Sequence, residues 1–282
     1  MPIAERLLIR TWNIAHGRDM PAGAGHGHLR RKLLREMAET MVQDEPDLVL
    51  LQEVPVWAGD LLRQHTGMAL TLAPSYGAHV PFAHVPLPLA VGEALGKALP
   101  DLVRTQFEGQ GQAILYARSL LLVSARTVPL NRPRRLRGEP RIAHMARLRH
   151  RVAGRELVVA NVHADSDGAD AQVERAGYLL ERYARGAPMV LAGDLNADPR
   201  SAGVRSLVGR GFVEDSGDLG VDHILSRGMR LEWPATRWAP KRRELRLNGD
   251  RPVRLSDHDP VDAVVAFGDE PCWRSGGSPD DR

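Results

Sequence analysis

Apolar positions along the chain come in short runs separated by amphipathic stretches. Leu7 to Asn13 (LLIRTWN), Asp47 to Gln52 (DLVLLQ), Leu157 to His163 (LVVANVH) and Met189 to Gly193 (MVLAG) are compact runs rich in branched side chains. Such runs mark strands buried on both faces. Gln112 to Arg118, Ser119 to Val128, Ile142 to Val152, Val221 to Ser226 and Val261 to Phe267 have similar strand character. Leu29, Leu33, Met37 and Met41 recur at helical spacing, and Pro46 closes that segment after Val42. Ala169 to Arg185 reads as a second helix. Alternation of the two patterns predicts an α/β or α+β fold. Residues 74–110, rich in Pro and Gly, form a long excursion with a short helix around Glu93 to Leu99. A loop of that length either lines a site or is a floppy insertion. No linker or repeat divides residues 1–267, which read as one domain, and the polar stretch 268–282 predicts a disordered tail.

Composition narrows the class only a little. Cys272 is the single cysteine, which excludes an intramolecular disulfide and a Cys-based zinc site. The 38 basic residues outweigh 35 acidic ones by a formal +3, compatible with an anionic substrate without requiring one. Only Lys32, Lys97 and Lys241 among the basic residues are lysines, so the arginine surplus reads as coding bias except where it clusters. Two clusters stand out: Arg132, Arg134, Arg135 and Arg137, and Lys241, Arg242, Arg243 and Arg246. Each is either a set of phosphate contacts or a solvated loop, and neither has aromatics interleaved for base stacking. Trp233 and Trp238 precede the second cluster and read as packing residues. No signal peptide and no bilayer-length apolar run are present, which points to the cytoplasm without a membrane anchor. Nothing in the sequence identifies a protein partner.

The informative feature is where polar residues fall. Asn13, Glu53 and His163 each follow an apolar strand, Asp194 and Asn196 follow Met189–Gly193, and Asp257 and His258 precede the last strand. Strand ends and their loops are where sites assemble in sheet proteins. Carboxylates, two histidines and two asparagines converging on one cleft suit phosphoryl transfer. Glu and Asp oxygens are hard ligands for Mg²⁺, a further carboxylate can orient or deprotonate water, and Asn and His can donate to oxygens that gain charge. Taken singly, each residue has an ordinary reading as a turn residue, a surface acid or a structural histidine. Six such coincidences in one order do not.

That ordered set, Thr11-Trp12-Asn13-Ile14, Leu51-Gln52-Glu53-Val54, Asn161-Val162-His163, Gly193-Asp194-Leu195-Asn196, Val221-Asp222-His223-Ile224 and Ser256-Asp257-His258-Asp259-Pro260-Val261, resembles the motifs of the endonuclease/exonuclease/phosphatase superfamily. The resemblance implies a DNase I-like, four-layer sandwich of two packed mixed β-sheets flanked by helices. It implies a Mg²⁺- or Mn²⁺-dependent phosphoesterase with Glu53 as principal metal ligand, helped by Asn13 and Asp257. Asp194 would orient or activate the attacking water, with Asn196 holding it. His163 would stabilise the transition state, and His258, fixed by Asp222, would donate to the scissile phosphate. Glu108 sits where several members carry an acid; it would orient His163 or is a plain surface acid. Arg141 lies where members often place an arginine, in a pattern too loose to assign a role.

Departures from subfamily patterns bear on the substrate. Ala15, then His16-Gly17-Arg18, after the motif asparagine argue against a specialised abasic-site enzyme. No inositol-phosphatase motif and no membrane-binding hairpin are evident. The reading is a phosphodiesterase or nuclease acting on DNA or RNA, with a small-molecule or phospholipid phosphoesterase as the alternative and a non-catalytic binding module behind both. The glycine-rich loop from Gly17 to Gly27, with His16, His26 and His28 in and around it, fits no familiar zinc spacing. It reads as a mobile loop at the mouth of the cleft.

Overall fold

A computed structural model describes residues 6–20, 29–76, 89–99, 109–131, 140–214, 220–246 and 252–268. In chain order, β1 (Arg6–Asn13), β2 (Asp19–Met20), α1 (Arg30–Met41), β3 (Leu48–Pro55), α2 (Gly59–Thr66), β4 (Ala69–Tyr76) and α3 (Leu89–Ala98) form the first half. The second half comprises β5 (Gln110–Tyr116), β6 (Leu120–Pro129), β7 (Ile142–His150), β8 (Glu156–His163), α4 (Ala169–Ala184), β9 (Met189–Asp194), α5 (Ala202–Gly209), β10 (Asp222–Arg227), β11 (Met229–Arg237), β12 (Glu244–Leu245), β13 (Val253–Leu255) and β14 (Val261–Phe267). Glu108, the Arg132–Arg137 cluster, most of the Gly17–Gly27 loop, parts of the 74–110 excursion and the tail beyond Gly268 lie outside the described residues.

Two mixed sheets pack face to face. One has the order β11-β14-β1-β3-β5-β4, the other β10-β9-β8-β7-β6. Each has one parallel pair at its centre, β1 with β3 and β8 with β9, and antiparallel neighbours outside it. The parallel strands carry the continuous apolar runs because both of their faces are covered. Leu7, Ile9, Leu48, Leu50, Leu157, Val159, Val190 and Val265 fill the space between the sheets. On the outer face of the first sheet, Leu33, Leu34, Met37 and Met41 of α1 pack on Val49, Leu51 and Leu115. On the outer face of the second, Val173, Ala176 and Leu180 of α4 pack on Val158, Ala160 and Leu191. The result is four layers, helices over sheet over sheet over helices.

Polar side chains staple the two sheets together just below the functional end. Gln52 Nε2 donates to Asn161 Oδ1 (2.7 Å), and Asn161 Nδ2 donates to the carbonyls of Leu51 (2.8 Å) and Ala113 (2.9 Å). These are the Gln and Asn of two sequence motifs, and both are fully buried. Their place there is structural: a buried amide is stable only when its partners are fixed, so the pair locks the sheets in register.

Candidate active site

The C-terminal ends of β1, β3, β8 and β9 and the N-terminal ends of β10 and β14 meet at one end of the sandwich. Register does much of the placing. Asp194 pairs across the sheet with His163 on one side and Asp222 on the other. Gly193 makes this possible: its φ is +143°, and an added Cβ would lie 1.9 Å from the Val162 carbonyl oxygen. Only glycine fits so close an approach of backbone. Near these strand ends the chain passes through left-handed conformations at non-glycine residues: Ala15 (φ 45°), His16 (58°), Asn196 (46°) and Ser256 (65°) beyond strands, and Glu53 (53°) within β3. Such conformations are costly and persist where the surroundings hold them. Glu53 also sits in the irregularity where the β3–β5 register shifts between Leu51 and Val54, and bulges re-aim side chains.

The side chains so placed touch one another. Asn13 Nδ2 lies 3.2 Å from Glu53 Oε1 and 3.0 Å from Asp194 Oδ2, and Asn13 Oδ1 accepts from the Ala15 amide (3.0 Å). Asp194 Oδ2 is flanked by His163 Nε2 at 3.5 Å and His258 Nε2 at 3.6 Å. Asp194 Oδ1 accepts from the Asn196 amide (3.1 Å), and Asn196 Nδ2 donates to the Ala164 carbonyl (2.9 Å). His258 Nδ1 is 2.8 Å from Asp222 Oδ2. Asp194, Asp222 and His258 each offer an atom within 4.8 Å of the others. Asp257 is exposed beside them and accepts from Ser256 Oγ at 3.3 Å. Of the residues expected from the sequence, Asn13, Glu53, His163, Asp194, Asn196, Asp222 and His258 are thus linked directly, Asp257 neighbours them, and Glu108 is not described.

Electrostatics differentiates these groups. Burial favours the neutral acid at Glu53, but the His16 hydrogen bond and charge, followed by His163 and Asn13, hold its carboxyl at about 2. Burial and the Asp222 charge push Asp194 up to about 6. Burial works against the His258 proton, yet the hydrogen bond and charge of Asp222, with Asp194 and Asp257, raise the imidazole to about 9. Burial, then the Arg141 charge, lower His163 to about 3. Two carboxylates and two imidazoles are driven apart in proton affinity by their surroundings, the usual mark of an acid–base site.

Several contributors had been given no role from the sequence. His16 Nε2 is 3.0 Å from Glu53 Oε2. Arg141 Nη1 is 3.0 Å from His163 Nδ1, and its Nη2 lies 3.5 Å from Asp165. Ser256 Oγ donates to the Asn13 carbonyl (2.6 Å) and accepts from the His258 amide (3.2 Å), tying the β1 end to the histidine loop. Arg243 corrects the view of residues 241–246 as a basic surface cluster. It is 3% exposed, donates to the carbonyls of Leu255 (3.0 Å) and Ser256 (2.6 Å), and pairs with Asp259. Its neighbour Arg242 pairs with Asp44 and stacks 3.5 Å over Trp238, which also lies 4.2 Å from the Arg10 guanidinium and donates its indole N–H to Asp262 Oδ2 (2.8 Å). Trp238 is therefore a packing residue, but Trp233 is 61% exposed and is not. The only sequence signal for His16 was its position three residues after Asn13, within reach of a tight turn.

Comparison with known proteins bears on the family and the fold. The model of the endonuclease/exonuclease/phosphatase family matches residues 11–258. No curated protein matches the chain. Among solved structures, an endonuclease/exonuclease/phosphatase family protein from Bacteroides thetaiotaomicron superposes with a TM-score of 0.70 at 15% identity, over 97% of this chain and 99% of that one. A mannosyl-6-phosphatase from the same species gives 0.66 at 16% identity, over 93% and 100%. The human Nocturnin catalytic domain with bound sulfate gives 0.63 at 18%, over 94% and 97%. At these identities the likeness is one of fold.

Proposed function

Because the chain belongs to the endonuclease/exonuclease/phosphatase family, whose members are phosphoester hydrolases, we propose that it is a divalent-metal-dependent phosphodiesterase. The observation that carries this reading is the Asp194 carboxylate held between two histidine Nε2 atoms and joined to Glu53 through Asn13. A carboxyl near 6 suits the transfer of a proton from water at neutral pH. Asn196 fixes the orientation of that carboxylate through its amide. An arginine can only donate, so the contact with Arg141 leaves Nδ1 of His163 as the acceptor and puts the ring proton on Nε2. Asp222, accepting at Nδ1 of His258, leaves its protonated Nε2 as a second donor towards the same place. Two N–H groups aimed at one point suit phosphoryl oxygens whose charge grows during the reaction.

The donor set fits a hard cation. Glu53, Asp194, Asp222 and Asp257 bring more negative charge to the site than Arg141 and the protonated His258 offset among the described residues. Glu53, held ionised, is the carboxylate ready to bind Mg²⁺ or Mn²⁺, with Asn13 and Asp257 as companions. The Asp194–Asp222–His258 cluster fits less well, since Asp222 and His258 are already committed to each other. Bound at Glu53, the cation would polarise a phosphoryl oxygen as a Lewis acid. The surplus of carboxylates also favours a diester, with one negative charge, over a monoester with two.

The test is hydrolysis of bis-p-nitrophenyl phosphate, p-nitrophenyl phosphate, plasmid DNA and RNA with Mg²⁺ or Mn²⁺. Diester turnover abolished by EDTA and lowered about 10²–10⁴-fold by His258→Ala or Asp222→Asn is expected. Undiminished turnover in both variants would refute the site, and a preference for the monoester would refute the diesterase.

A further inference from the structure

The edge strand β6 and helix α4 enclose a groove on the helix-covered face of the second sheet. A hollow of about 410 Å³ in it is lined by Arg126, Arg182, Arg185, Tyr178 and Tyr183 over an aliphatic floor that includes Met145. Among the described residues no carboxylate lines it. The guanidiniums of Arg126 and Arg185 have no ion-pair or hydrogen-bond partner among the described residues, and Arg182 donates to the Tyr178 hydroxyl (2.9 Å) while lying 5.8 Å over its ring. Two acids beside the groove are already neutralised: Glu156 by Arg147 and Arg149, Glu181 by Arg210 and Arg227. Tyr178 is 48% exposed. A second hollow of about 550 Å³ continues along the groove, shares Arg126, Tyr183 and Arg185 with the first, and is lined also by the Arg147–Glu156 ion pair. The groove is separate from the catalytic groups. Arg126 pairs with Met145 and Met145 with Ala160, three residues short of His163, roughly 10 Å along the strand.

We propose that this β6–α4 groove is an accessory binding site for single-stranded nucleic acid. Guanidiniums that no carboxylate already holds recognise phosphate. The half-exposed Tyr178 ring, with the Arg182 and Arg210 guanidiniums at 5.8 and 6.0 Å from its centroid, offers its remaining open surface for a base to stack on, with little regard for sequence. Two adjoining hollows that share their arginines suit a chain of repeating phosphates better than one isolated phosphate. A duplex keeps its base faces hidden and cannot use the tyrosines. The proposal names the substrate class of the phosphodiesterase and rests on that reading, but its test is binding and is independent of turnover.

Binding of a fluorescein-labelled oligothymidylate is measured by anisotropy in EDTA across a salt series, for the wild type and for the Arg126→Gln/Arg182→Gln/Arg185→Gln variant. Loss of three phosphate contacts makes the slope of log K against log salt shallower by about two. Tyr178→Ala weakens binding about fivefold to a hundredfold, the loss of one stacked base. All four side chains are exposed or at the rim, and both variants hydrolyse bis-p-nitrophenyl phosphate at the wild-type rate. Equal affinity and slope in wild type and triple variant would overturn the proposal. So would equally tight binding of a duplex, or competition by thymidine monophosphate as effective as that of the oligonucleotide. Failure of all ester hydrolysis, by contrast, would strike the catalytic reading and not the groove.

Discussion

Both oxygens of Glu53 are engaged, Oε1 by Asn13 and Oε2 by His16. A carboxylate can only accept, so the His16 ring proton sits on Nε2, and the imidazole fixes how Glu53 faces the site. Partners behind a metal ligand tune its affinity by about 10–100-fold. His16→Ala is therefore expected to weaken Mn²⁺ binding by that factor, read by titration calorimetry without substrate; unchanged affinity would remove His16 from the site. The residues that gather at the candidate site were legible in the sequence because they are polar side chains at the ends of apolar runs. His16, Ser256 and Arg243 were not. Their roles depend on left-handed turns at Ala15–His16 and Ser256 and on contacts across more than a dozen residues, and no local pattern encodes either. Arg141 was visible as a position and silent as a role until His163 stood beside it.

At the scale of elements, the 3₁₀ turn Pro240–Arg243 earns its place through one buried side chain. Arg243 clamps the carbonyls of Leu255 and Ser256, and Ser256 in turn holds Asn13 and His258. Arg243→Met leaves buried acceptors unmet and is expected to cost about 1–3 kcal/mol in urea unfolding. It should also lower turnover at least about tenfold, because small misplacements of catalytic groups are expensive. Arg242→Ala, at a solvent-exposed pair with Asp44, should change stability by less than about 1 kcal/mol. Equal effects of the two substitutions would contradict the bracing role. The long central elements were legible: β1, β3, β8, β9, α1 and α4 fall within a few residues of expectation. The missed ones are peripheral. β4 and β11 are edge strands interrupted by Pro74 and Pro234, tolerated only where one side needs no ladder. α2 and α5 are eight residues each, too short for periodicity to declare. The strand expected over Ile142–Val152 ends at His150, where a turn reverses the chain towards β8.

Across the whole molecule, the sheet interface is apolar at its centre and polar where it approaches the site, and that transition makes stability depend on pH. His144, in β7, spans the interface: Nε2 meets Thr71 of β4 at 3.2 Å and Nδ1 meets Thr127 of β6 at 3.1 Å. It is 2% exposed, and burial lowers its pKa from 6.5 to about 4, against the pull of the Thr71 hydrogen bond. The folded state therefore keeps the ring neutral at a pH where the unfolded chain protonates it. The unfolded state binds more protons between about 4 and 6.5, so stability contributed here is fully present above pH 6.5 and is lost as pH falls towards 4. A difference of about 2.5 pH units corresponds to roughly 3 kcal/mol at most. Other groups titrate in the same range, so the contribution is isolated by subtraction. His144→Asn is expected to cost stability at pH 7.5, where the two threonines lose part of their partner, and to cost less at pH 4.5, where the native histidine is itself a liability. Parallel stability curves for wild type and variant from pH 7.5 to 4.5 would show that the ring is not held neutral between the sheets. A convergence of the curves would identify the closing of the sheet interface, at a distance from the catalytic groups, as a source of the protein's sensitivity to acid.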